Sequence, residues 1–407
     1  MEGAANFDAL KSIVSQGEAV HLPFRFGEVI DNLRLERYRS KIAQRRISSA
    51  ATEVARTLYY FSRNSLPDTF RRQMQRFYFR DWTKLPFPAW PVDCTVEDLF
   101  GESLRLLMEN SGVKRLPFIW FWPEGASACM IMTHDVETAA GLNFTSQLMD
   151  VDDSFGFAAS FQVIPEGRYQ VSDQYVDEIR RRAFEFNIHD LNHDGHLYRE
   201  RGEFLQRAAK INKYVRRYGT QGFRAGAMYR NQEWYDAFEF SYDMSVPNVA
   251  HLEPMRGGCC TVMPYFVGKI LELPLTMVQD YSLFHILDDY SLDLWKQQLA
   301  LIRERNGLIS FITHPDYLIE PRARKVYEKL LDHLRQMVKA EGIWAALPGD
   351  VNQWWRARNQ MQLVPCGDQW EIEGPHKERA RLAWAVLEEG RLRYEIVPTG
   401  PRENAAN

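Results

Sequence analysis

The sequence predicts an α/β protein built on a (β/α) barrel, and three observations lead there. From about Gly125, short apolar runs alternate with longer amphipathic ones, the pattern of strands joined by helices in parallel βαβ units. The polar clusters fall at the C-terminal ends of the apolar runs, where a barrel keeps its chemistry. The flanks have a different texture: residues 33–80 are basic and aromatic, and the chain after Met361 reads as short strands separated by Gly367, Gly374 and Gly390. The expected division is residues 1–124 as an N-terminal helical and extended aromatic-basic region, 125–350 as the barrel, 351–400 as a small β-rich appendage, and 401–407 as a disordered tail.

In chain order, residues 1–25 are weakly patterned. Residues 85–91, Leu-Pro-Phe-Pro-Ala-Trp-Pro, hold too much proline for a helix or a central strand and should lie as an extended strap over apolar surface. Residues 96–110 read as a helix and 117–123 as a second extended stretch. The first barrel strand is expected at 128–132, ending in Thr133-His134-Asp135-Val136-Glu137. Residues 157–164 form the next strand, closed by Pro165. Ser172 is placed to cap a helix running to Arg182, and 186–188 is a brief strand. Residues 203–218 carry Phe204, Ala208, Ile211 and Val215 on one helical face, stopped by Gly219. Further strands are expected at 222–224, 244–246, 270–274, 308–312 and 343–347, with helices at 291–305, 322–340 and 350–359. Strands at 363–365, 370–372 and 391–397 would complete the appendage.

Composition bounds the function. A net charge of -4 over 407 residues argues against a nucleic-acid binder. Five cysteines, Cys94, Cys129, Cys259, Cys260 and Cys366, are odd in number and lack paired metal spacing, so a disulfide framework is not expected. Residues 1–19 lack the basic start and apolar core of a signal peptide, and no apolar run reaches membrane-spanning length. A cytoplasmic protein is expected. Between Leu33 and Arg80 twelve Arg or Lys face three acids, with Tyr59, Tyr60, Phe61, Phe77, Tyr78 and Phe79 among them. That stretch is open to two readings: a surface for an anionic membrane or lipid-linked substrate, or a solvated helical face whose aromatics pack on the main domain.

The chemistry starts from Asn187-Ile188-His189-Asp190-Leu191-Asn192-His193-Asp194-Gly195-His196. His189 and His193 are four apart, so one helical turn would project both imidazoles from one face, a spacing used for one divalent metal. A third ligand and groups to move protons are then needed. Asp135 and Glu137 lie two apart and would point the same way from a strand end, although such a pair is equally a loop with a helix-capping acid. His314 follows a strand and should reach the same barrel end. Arg224 ends another and is followed by small residues, Ala225-Gly226-Ala227; a surface ion pair is its commoner fate. His196 reads as a solvated loop residue, His134 as pointing away from the site, and Cys259-Cys260 as buried packing.

Together these motifs resemble the polysaccharide deacetylases of carbohydrate esterase family 4, in a branch with an Asp-Val-Glu first motif. Thr133-His134-Asp135-Val136-Glu137 is similar to the family's first motif and His189 with His193 to its second. Gly222-Phe223-Arg224-Ala225-Gly226 resembles the third, and Ile309-Ser310-Phe311-Ile312-Thr313-His314 the last. The resemblance covers roughly residues 125–320. Val136 stands where many members place a metal-binding aspartate, Ala225-Gly226-Ala227 replaces the usual proline and tyrosine, and residues 273–280 occupy the place of a tryptophan-bearing motif without matching it.

The resemblance implies a deformed (β/α) barrel and a metal-dependent deacetylase. Glu137, His189 and His193 would hold a divalent metal, zinc first among candidates. Asp135 would be the general base, Arg224 its orienting partner, and His314 the acid for the leaving amine. The implied substrate is an N-acetylated sugar or glycan, and the products acetate and a free amino sugar. Two alternatives stay open: hydrolysis of a non-sugar amide or cyclic imide at the same site, and a non-catalytic carbohydrate-binding protein on a degenerate deacetylase fold.

Overall fold

The computed structural model describes residues 12–16, 19–39, 68–367 and 369–398. The tail 401–407 lies outside them, and so does most of the basic, aromatic stretch. At the end of that stretch Phe77 and Tyr78 are exposed and Phe79 is buried in the core.

The chain divides into two compact units, each assembled from stretches far apart in sequence: residues 1–32, 95–126 and 354–407 in one, 33–94 and 127–353 in the other. The linear division 1–124, 125–350, 351–400 coincides with neither. The larger unit is a nine-stranded sheet among the described residues. Its strands are β1 (Cys129–Val136), β2 (Ser160–Val163), β3 (Glu185–His189), β4 (Gly222–Arg224), β5 (Tyr242–Asp243), β6 (Tyr265–Val267), β7 (Ile270–Glu272), β8 (Leu308–Thr313) and β9 (Trp344–Ala345). The order is β8-β1-β2-β3-β4-β5-β7-β6, with β9 also on β1. Every pairing is parallel except β6 with β7. Near the β8 end the circuit closes without a ladder: Met277 N donates to Ser310 O at 3.2 Å, and Thr276 Oγ1 to Leu308 O at 2.8 Å. This is the deformed barrel expected.

Helices α1 (Ala139–Phe155), α2 (Asp173–Arg181), α3 (Arg201–Tyr218), α4 (Asp293–Glu304), α5 (Pro315–Leu318) and α6 (Pro321–Glu341) follow the strands. Their ends obey local chemistry. Thr138 caps α1 through Gly141 N, Ser172 caps α2 through Tyr175 N, and Gly219 closes α3 in the left-handed conformation. The apolar faces of the helices and the strands' buried side chains form one core, from Phe79 through Phe161, Phe204 and Trp295 to Leu331.

Residues 82–91 lie on this unit as a strap: Trp82 packs on Trp90, Trp90 stacks on His251 at 5.8 Å, and Gln298 donates to Pro91 O. Glu36 makes a buried pair with Arg230 and accepts from Gly258 N, tying residues 33–39 to the same unit. No described helix is long and apolar enough to cross a membrane.

One expected strand is corrected. Residues 244–246 are not a strand; the ladder stops at Asp243 because other groups take the next backbone positions. Met244 O accepts from Arg224 Nε, Ser245 N donates to Asp243 Oδ2, and Val246 N donates to Glu272 Oε1.

In the smaller unit Arg115–Ile119, Leu382–Glu388 and Arg391–Ile396 form an antiparallel sheet, and Gln362–Cys366 pairs with Gln369–Glu373. The middle strand of the three, Leu382–Glu388, was not anticipated from the sequence. Its Ala385 and Leu387 pack on Met108 of the helix Thr95–Ser111.

Candidate active site

Strand alternation sorts the first motif. Side chains two apart on β1 share a face, and Thr133 and Asp135 both meet the Arg224 guanidinium, NH1 to Thr133 Oγ1 at 2.8 Å and to Asp135 Oδ1 at 2.6 Å. His134, between them, points to the other face: its Nδ1 is 2.7 Å from Thr313 Oγ1 and its Nε2 2.9 Å from Asp152 Oδ2. Glu137, just past the strand, comes to the same end of the barrel as Asp135.

The histidine motif reaches the site by a different geometry from the one expected. His189 is the last residue of β3, and residues 190–196 are a loop rather than a helical turn. Asp190 and His193 have positive φ, 57° and 55°, a conformation that Asp and His adopt more readily than most side chains. The loop is held from outside: Asp194 receives both guanidinium ends of Arg207, each at 2.8 Å, and Asp190 N donates to Arg224 O at 2.7 Å. Gly226 is required by this packing, because a Cβ there would sit 2.5 Å from Asp190 Oδ2 and 2.9 Å from His193 Cδ2.

The result is a convergent donor group. One ligand atom each from Glu137, His189 and His193 lie within 4.8 Å of one another. Glu137 Oε1 is 2.9 Å from His193 Nε2 and 3.6 Å from His189 Nε2. His189 Nδ1 lies 3.1 Å from Arg224 O. A carbonyl only accepts, so Nδ1 carries the proton and Nε2 presents a lone pair. Both Nε2 atoms are buried and make no well-directed hydrogen bond, His193 Nε2 standing 2.9 Å from Glu137 Oε1 but out of line for one. Buried polar atoms are rarely left so; two imidazole lone pairs and a carboxylate facing one point suit a divalent ion of the zinc type. These residues fit the metal that the resemblance implies.

Around this group the charges are set by their neighbours. Burial pushes the Asp135 carboxyl upward, but Arg224, His189 and His314 outweigh it and hold it below the ordinary carboxylate range. Burial acts on Glu137 too and is overcome by His193, His189 and His314, leaving it well below that range. Arg224 is fully buried, with Nε donating to Met244 O at 3.0 Å. Its own position needs Gly222 two residues earlier, where a Cβ would fall 2.4 Å from the Tyr242 ring.

His314 Nε2 lies 3.6 Å from Glu137 Oε1, so the last motif reaches the same point. Its Nδ1 is 2.7 Å from Asp280 Oδ1, and its backbone N–H donates to Asp280 Oδ2 at 2.7 Å. Burial alone would keep this imidazole neutral; Asp280 and Glu137 overcome it and raise the pKa well above the ordinary histidine value. Tyr317 lies against His314 with ring centres 4.8 Å apart, and Tyr281 and His285 pack against Tyr317.

All six residues singled out from the sequence, Asp135, Glu137, His189, His193, Arg224 and His314, therefore meet at one end of the barrel. Reasoning from the sequence missed Asp280 as the partner of His314 and Arg168, whose guanidinium donates to His193 O at 3.0 Å. Asp280 carried a faint signal, since residues 273–280 stand where a further motif was sought; Arg168 carried none.

No protein-family model matches the chain, and no curated protein does. Among solved structures, it is similar to a protein from Mycobacterium smegmatis assigned as a polysaccharide deacetylase, with 17% identity, 62% of this chain and 98% of that one covered, and a TM-score of 0.46. It is similar to Puue allantoinase, with 10% identity, 58% and 92% covered, and a TM-score of 0.46. A third is the peptidoglycan deacetylase PdaC from Bacillus subtilis, with 12% identity, 56% and 92% covered, and a TM-score of 0.36.

Proposed function

We propose that this chain is a metal-dependent hydrolase that removes the N-acetyl group from an amino sugar in a glycan or glycan precursor. The observation that carries the reading is the convergence of half-buried Glu137 with buried His189 and His193, whose two imidazole Nε2 atoms make no hydrogen bond, between an ionised Asp135 and a cationic His314. A divalent ion held by these three residues, zinc by the chemistry of the donor set, supplies a Lewis acid for the amide carbonyl and lowers the pKa of a water.

The chain's own groups do the rest. Asp135, kept anionic by Arg224, accepts a proton from the attacking water as general base. Its free oxygen, Oδ2, lies 3.7 Å from His189 Nε2 and so borders the donor group. His314, kept protonated by Asp280, donates from Nε2 to the amide nitrogen, which leaves as an amine rather than as an anion. Water adds its oxygen to the acyl carbon, the C–N bond breaks, and acetate and an amine result. Tyr317, half-buried against His314, and Tyr281, half-buried against Tyr317, offer ring surface for the apolar side of a pyranose.

Hydrolysis of another amide or of a cyclic imide would use the same groups. A degenerate, non-catalytic barrel expects either scattered ligands, with which the 4.8 Å spacing is at odds, or metal binding abolished by Val136, which the zinc measurement below tests. The deciding experiment measures zinc per chain in the wild type and in Glu137→Ala/His189→Ala/His193→Ala, then acetate release from N-acetylated sugars. About one zinc per chain that vanishes in the variant, with acetate released only by the wild type, is the expected result. Equal, negligible zinc in both after zinc is offered would remove the reading.

A further inference from the structure

Arg168 lies on the loop between β2 and α2, and that loop is fixed at both ends of the site. Tyr169 OH donates to Val136 O on the first motif and accepts from Ile164 N, while Glu166 N donates to Leu191 O in the histidine loop at 3.0 Å. Arg168 is half-buried. NH2 donates to His193 O at 3.0 Å and stands 3.5 Å from His193 Nδ1. Among the described residues it has no carboxylate within ion-pair distance. The acids nearest in sequence are engaged elsewhere, Glu166 with the Tyr214 hydroxyl and Asp173 with Arg217, and Asp194, next to His193, is held by Arg207.

A second feature belongs to His193. If its Nε2 presents a lone pair to the donor group, Nδ1 must carry the proton. Nδ1–H and the Arg168 NH2 then face each other as two donors, and a guanidinium has no acceptor to offer. One anionic oxygen between them would satisfy both. Arginine's planar fork suits a carboxylate or phosphate in two-point contact.

We propose that Arg168 recognises an anionic substituent, a carboxylate or a phosphate, on the N-acetylated substrate, so that the site prefers an anionic amino sugar to its neutral parent. This rests on the deacetylase reading for its substrate but not for its test. Binding of four sugars to zinc-loaded wild type and Arg168→Gln is measured by calorimetry: N-acetylglucosamine, its 3-O-lactyl carboxylate, and its 1- and 6-phosphates. Acetate release is followed alongside.

At least one anionic sugar should bind the wild type ten-fold or more tighter than the neutral one. Compared at equal zinc occupancy, Arg168→Gln should lose that preference, and Arg168→Lys should restore part of it. Equal affinities in the wild type, or a preference that survives in Arg168→Gln, overturn the proposal; in the second case the metal itself attracts the anion. Charge-dependent binding without acetate release would leave Arg168 in its role and remove the deacetylase reading. No binding of any of the sugars would remove both.

Discussion

His134 and His189 are both buried imidazoles at strand ends, each within reach of a carboxylate, and they differ in what remains unsatisfied. His134 meets Thr313 and Asp152 with its two nitrogens, and Asp152 receives the Tyr327 hydroxyl at 2.6 Å on its other oxygen. That cluster is closed, and it pins β1 to β8, α1 and α6. His189 uses Nδ1 on the Arg224 carbonyl and leaves Nε2 unpartnered beside Glu137 and His193. Histidine next to carboxylate is therefore not a site; a converging set of unmet lone pairs is. The two clusters should answer mutation in different currencies, the open one in metal and rate, the closed one in stability.

The largest effect is expected in the open cluster. His189→Ala should release the zinc and reduce acetate production to background, with far-UV circular dichroism unchanged. Asp135→Asn tests the neighbour that moves the proton: kcat should fall about 10²–10⁴-fold with zinc content retained. If His189→Ala unfolded the chain or Asp135→Asn lost its metal, the separation between ligand and base would be wrong. Asp152→Ala belongs to the closed cluster. It leaves His134 Nε2 buried without its partner and removes one of the two partners of the Tyr327 hydroxyl, Thr313 being the other, a loss of about 2 kcal/mol, read as a lower urea midpoint. Zinc affinity should not change.

The same contrast explains what could be read from the sequence. Period-two alternation separates His134 from Asp135 without any tertiary information, because adjacent side chains on a strand take opposite faces. The strands at 129–136 and 308–313 were legible as apolar runs, and Gly219 as a helix stop. His189 and His193 were legible as a pair, but not their path. A spacing of four fits a helical turn and equally fits this loop, which is set by Arg207 on a later helix and by the missing Cβ of Gly226. Asp280 was hidden for a related reason: its partner is His314, and no strand period marks the irregular segment between β7 and α4. Leu382–Glu388 was missed because its partner, Arg115–Ile119, lies on the far side of the barrel sequence and contains Pro117.

Glu253 stands between the two cases and gives the finest test. It is 6% exposed and accepts one hydrogen bond, from Gln279 Nε2 at 2.6 Å, a single donor where Asp135 has a guanidinium. Burial raises its pKa to about 7, against partial opposition from Gln279, Arg230 and His314. The folded state thus holds this proton more tightly than the unfolded chain, whose glutamates titrate at about 4.3. Its contribution to stability is full below about pH 4.3, declines as pH rises towards about 7, and is flat above. The decline amounts to about 4 kcal/mol at 1.36 kcal/mol per pKa unit. Glu253→Gln preserves shape and the Gln279 contact in one orientation while removing the proton equilibrium. Urea midpoints at pH 5, 6, 7 and 8 should therefore fall less steeply in the variant than in the wild type, with the variant the more stable at pH 8. Parallel curves would mean that Glu253 keeps its charge when folded, through water or through closer contact with Arg230 than the 253–279 hydrogen bond implies. A buried carboxyl with one donor would then behave like the closed cluster rather than lying between the two.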